Sequence, residues 1–130
     1  MRLSAALVLA SALPVQAQTV DPLPNFPLDS AISCLAYTVS EIESDPEGKI
    51  AASRADWVVF FSTLIAAKSS PADADSIGDR FASELLFFRA PSYEEGVPAT
   101  PEEEDEILTG MGKMCWYEAL AAEGGPYYEP

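Results

Sequence analysis

The chain contains no histidine, and only 7 Lys and Arg stand against 21 Asp and Glu in its 130 residues. Without an imidazole there is no usual base to activate a serine or cysteine nucleophile, which removes the commonest catalytic constellations. The commonest nitrogen ligand of zinc is missing too, and two cysteines, Cys34 and Cys115, are too few and too widely spaced to hold the metal. No glycine-rich phosphate loop and no serine nucleophile motif takes their place. The sequence is therefore read as non-enzymatic, with no cofactor and no metal. A formal charge of −14 argues against nucleic acid and anionic membrane surfaces as partners.

The acids do not restore a metal site. Successive residues of the run Glu102, Glu103, Glu104, Asp105, Glu106 point around a helix in different directions. Asp73, Asp75, Gly78 and Glu84 fall on ligand and glycine positions of a calcium loop, but Ile77 occupies a third ligand position and a helical pattern runs through the stretch.

Long apolar runs are scarce as well. Arg2 precedes an apolar run from Leu3 to Leu13, which Pro14 breaks before the small-residue site Val15-Gln16-Ala17. A membrane span requires about 20 apolar residues. The shorter run fits a secretory signal peptide over residues 1–17, cleaved after Ala17, and a periplasmic or secreted product. The second run, WVVFFSTLIAA from Trp57, is also too short, so no membrane span is expected in the mature chain.

An exported chain meets an oxidising compartment, where two cysteines pair. A Cys34–Cys115 disulfide is therefore expected, worth about 4 kcal/mol if unstrained.

What is present is helical patterning. Residues 18–28 hold three prolines and read as an extended arm. Asp29 or Ser30 can cap a helix to Ser44, with Ile32, Leu35, Val39 and Ile42 on one face. A second helix is read from Pro46 to Lys68. Its run is apolar nearly all round, which predicts a central position in the core. Ser70-Pro71-Ala72-Asp73 opens a third helix that should end near Arg89, before Pro91. Thr100-Pro101-Glu102-Glu103 is a second capping box, opening a helix to about Glu123 before Gly124-Gly125. Gly110 and Gly112 either weaken this helix or admit a close neighbour.

The predicted fold is all-α: one helical domain over residues 29–125 and a tail over 126–130. Cys34, early in the first helix, and Cys115, late in the fourth, meet if those helices are antiparallel neighbours in an up-down-up-down four-helix bundle. Trp57, Phe60, Phe61, Phe87, Phe88 and Trp116 form the candidate apolar binding surface, and Phe81 follows the same spacing, although such residues also make ordinary core. The expected function is binding of a protein partner. The alternatives are a small apolar-ligand carrier and an acid-stress periplasmic chaperone.

Overall fold

The computed structural model describes residues 20–116. Within them lie four α-helices and, among the described residues, no strand: α1 (Leu28–Glu43), α2 (Ala51–Lys68), α3 (Ala74–Arg89) and α4 (Pro101–Lys113). The signal peptide, its cleavage site and the tail lie outside the described residues, as does the predicted end of the fourth helix.

Local chemistry sets the boundaries. Pro27, in an extended conformation, is the N-cap of α1, two residues before the expected Asp29. The second helix starts at Ala51, five residues later than the Pro46 read from sequence. The reason is a turn. The Gly48 N–H donates to the Asp45 carbonyl at 3.0 Å, and Gly48 takes φ +70°, which L side chains rarely adopt. The Asp45 carboxylate then accepts from the Ile50 N–H at 2.7 Å and satisfies a donor at the start of α2. Before α3, Pro71–Asp73 form one 3-10 turn, and the Asp73 carboxylate accepts from the Ser70 N–H at 2.8 Å. The α4 capping box is as expected. Thr100 Oγ1 accepts from the Glu103 N–H at 3.2 Å, and Glu103 Oε1 accepts from the Thr100 N–H at 2.9 Å. Residues 114–116 continue from α4 as a π turn.

The core is centred on α1, not on α2, which corrects the reading of the second helix. α1 packs against both α2 and α3. It buries Ala31, Ile32, Ser33, Cys34, Ala36, Tyr37, Thr38 and Ser40, most of its circumference. Small side chains let its neighbours approach. Two buried hydroxyls are satisfied by the helix's own carbonyls, Thr38 Oγ1 donating to Cys34 O and Ser40 Oγ to Tyr37 O, each at 2.7 Å, while Ser33 Oγ donates across to the Glu84 carboxylate on α3. Of the predicted stripe, Ile32 is buried, while Leu35, Val39 and Ile42 are half-buried. α2 buries only Trp57, Phe61 and Leu64, at steps of four and three, and leaves Val59 64% exposed.

Two fastenings complete the fold. Cys34 and Cys115 form the expected disulfide, with S–S 2.01 Å and Cα–Cα 5.6 Å, and both residues are fully buried. It ties the first half of α1 to the turn after α4. The proline-rich segment before α1 is pinned as well. The Lys68 ammonium donates to Asp21 Oδ2 at 2.7 Å and to the Leu23 carbonyl at 2.6 Å, and Leu23 is buried.

The two glycines of α4 separate into the two cases read from sequence. A Cβ on Gly110 would meet nothing within 4 Å, whereas one on Gly112 would meet Tyr37 Oη at 3.2 Å and Trp116 Cζ3 at 3.4 Å. Gly110→Ala is expected to stabilise by roughly 0.5–1 kcal/mol through helix propensity. Gly112→Ala should gain nothing or lose stability, because its methyl must displace one of two packed rings. Denaturant unfolding of both variants checks this pair.

Candidate functional site

The α4 backbone stands off from the other helices, with Leu108 and Met111 packed against the core. It is held at one end by the disulfide, and a groove remains between it and α1. The larger chamber has a volume of about 600 Å³ and the adjoining one about 280 Å³; Tyr37 and Leu108 line both. Phe88 from the end of α3 adds to the larger chamber, and Gly112 and Trp116 to the smaller. The groove is thus floored by aromatic and aliphatic side chains from α1, α3, α4 and the turn after α4. Glu41, Glu43, Asp45 and Glu104 supply carboxylates along the larger chamber, with Arg89 among them.

Several of these charged groups are held by local arrangements. Tyr37 and Glu41 lie one turn apart on α1, and the phenol donates to Glu41 Oε2 at 3.3 Å. Arg54 Nε donates to Glu41 Oε1 at 3.0 Å. The same guanidinium lies 4.2 Å from the ring centre of Trp57 and 5.2 Å from that of Trp116, within cation–π range. The two indoles are 5.1 Å apart, and the Tyr37 ring contacts Phe88 at 5.7 Å and Trp116 at 6.2 Å. Trp116 Nε1 is buried with no acceptor among the described residues.

Burial pushes the Tyr37 phenol well above its ordinary value, and the charge and hydrogen bond of Glu41 add to the shift. Tyr37 is therefore a neutral donor at physiological pH. At the other end of the groove, Arg89 donates to Glu43 from Nε at 3.0 Å and from Nη2 at 2.6 Å. These hydrogen bonds hold the Glu43 carboxyl below the usual range. Its folded pKa lies below the unfolded one, so this contribution is complete above the ordinary glutamate value. It is lost as pH falls through the depressed folded value. Wild type is therefore expected to lose stability relative to Glu43→Gln between about pH 5 and pH 3, read from denaturant midpoints at each pH. Among the described residues no three His, Cys, Asp or Glu converge as metal ligands.

The six aromatic residues singled out in the sequence divide three ways. Phe88 and Trp116 line the groove, and Trp57 packs against Trp116 with the rings tilted by 56°. Phe61 is fully buried and fills the core. Phe60 and Phe87 are half-buried and line neither chamber. Phe81 is half-buried as well. Sequence reasoning missed Tyr37, Glu41, Glu43, Asp45, Arg54 and Leu108. One signal was available. Tyr37 and Glu41 at i, i+4, and Arg54 and Trp57 at i, i+3, each place a polar group beside a ring on one helix face.

Among the described residues no helix is long and apolar enough to cross a membrane. No known family, no curated protein and no solved structure matches this chain.

Proposed function

We propose that the chain is an exported, non-catalytic binding protein whose helices form an up-down-up-down bundle and whose partner sits in the groove between α1 and α4. Export rests on the signal-peptide pattern of residues 1–17, with cleavage after Ala17 and a periplasmic or extracellular product. The observation that carries the binding reading is the groove itself. Its larger chamber, about 600 Å³, falls within the roughly 300–1,000 Å³ of ordinary ligand sites and combines an apolar floor with a few placed polar groups. The charged rim favours a partner with polar or charged groups over a wholly apolar small ligand.

The experiment is affinity capture from the envelope and medium fractions of an exporting cell. The wild type is compared with Leu108→Arg, which fills and charges the floor, and with Val59→Arg, on the exposed side of α2. Species retained by wild type and Val59→Arg but lost with Leu108→Arg support the reading. A captured set that Leu108→Arg leaves unchanged removes the groove from the function. Terminal sequencing of the exported protein tests the address, with Gln18 expected as the first residue; retention of Met1 overturns it.

A further inference from the structure

We infer that the groove between α1 and α4 takes a basic amphipathic segment of another protein, its apolar side chains on the floor and its Lys or Arg heads on the carboxylate rim. This rests on the groove being the binding site, and it names the chemistry of the occupant. The floor is supplied by Tyr37, Phe88, Leu108 and Trp116. Tyr37 and Leu108 are shared by the two chambers, with Phe88 in one and Trp116 in the other, so apolar side chains are present in both. On the rim, Glu41 is answered by Arg54 and Glu43 by Arg89, but Asp45 and Glu104 have no cationic partner among the described residues.

The chain itself shows which cation this surface accepts. Arg54 lays its guanidinium over Trp57 and Trp116 while donating to Glu41. Arg89 places two donors on Glu43, inside the larger chamber. Two of its own guanidinium groups therefore occupy aromatic and carboxylate positions in and beside the groove, and a partner's basic side chains would repeat that chemistry at Asp45 and Glu104. The whole-chain charge selects in the same direction. At −14 the protein repels a second copy of itself and any polyanion, and draws in a cationic segment. An apolar row flanked by basic residues is the pattern of an amphipathic helix that lays one face into a groove.

The test uses the exported chain with its disulfide intact and three fluorescent probes. The first is a synthetic amphipathic helix of about 18 residues with Leu and Trp on one face and Lys and Arg on the other. The second has the same apolar face with every basic residue replaced by Glu. The third is the neutral apolar dye Nile red. The basic peptide is expected to bind, and the acidic one to bind at least about tenfold more weakly. Added salt and Glu104→Lys should each weaken the basic peptide, and Leu108→Arg should abolish its binding. Circular dichroism shows whether both variants fold. Glu104 is exposed, so its variant carries the test even if Leu108→Arg unfolds. Equal binding of the two peptides overturns the basic-partner inference and leaves the groove as a binding site. Dye binding that Leu108→Arg removes, without binding of either peptide, does the same and points to an apolar-ligand carrier. If no probe responds to Leu108→Arg in a folded protein, both the inference and the binding reading fall.

Discussion

A Cys115→Ser variant is expected to unfold at about 2–5 kcal/mol below wild type. The bridge closes a sequence separation of 81 residues, and both cysteines are fully buried. In the chain-entropy account, releasing a loop of that length returns about 4 kcal/mol of freedom to the unfolded state. The folded state loses more than entropy. The α4 backbone stands off from the other helices, and besides the packing of Leu108 and Met111 on the core the bridge ties it down, so the groove beside it should loosen before the rest of the domain. Denaturant unfolding of the variant, set beside the Cys34→Ser/Cys115→Ser pair, gives the magnitude. Hydrogen exchange is expected to rise first in α4. Alkylation of the unreduced wild type should modify no thiol. A variant within about 0.5 kcal/mol of wild type, below the usual range for a native disulfide, would show that α4 is held by other contacts.

Phe61→Ala is expected to cost about 3–5 kcal/mol. Phe61 is fully buried in the cluster that contains Ala31, Cys34, Trp57 and Leu64, and its ring meets that of Phe60 at 5.5 Å. Truncation leaves a cavity among small α1 side chains that cannot move in to fill it. Val59→Ala, two residues earlier, is expected to stay within about 0.5 kcal/mol, because Val59 is largely exposed. The contrast tests the sidedness of α2. A helix central to the core would lose stability at both positions, whereas a helix against one side of α1 loses it only at Phe61. Thermal and denaturant unfolding of the two variants decide between them.

The helix count and the starts of the last two helices were legible because local chemistry writes them. Thr100 with Glu103 and Ser70 with Asp73 are short-range hydrogen-bonding patterns that need no tertiary context. The bridge was expected from the cysteine count and the signal-peptide pattern. The start of α2 was misread although its signal was present. Asp45-Pro46-Glu47-Gly48 carries Asp, Pro and Gly at their favoured β-turn positions, and the observed Gly48-to-Asp45 hydrogen bond closes that turn. The identity of the central helix was hidden for a different reason. Ala31, Ser33, Ala36 and Ser40 give weak hydropathy signals, so a face buried through close approach looks polar in sequence. The groove was less legible still. Its floor joins residues from four segments, and only Phe88 and Trp116 among them had been singled out. Nothing in the spacing of Glu41, Glu43 and Asp45 marks a shared rim, which only the placement of Glu104 opposite them creates.

The Cys34–Cys115 bond also sets how the chain bears mechanical load. Force applied at the two ends enters before Cys34 and leaves after Cys115, so the sulfur bridge carries it past the segment between them. Stretching under oxidising conditions should peel away the pinned segment around Asp21 and Leu23 and the first turn of α1. The rest of α1, together with α2, α3 and α4, lies off the load path. Adding a reductant should place the 81-residue separation under tension, and the extended length should grow by about 270 Å at roughly 3.3–3.6 Å per residue. As long as the bond stays oxidised, pulling on the two ends would leave the groove between α1 and α4 under no tension.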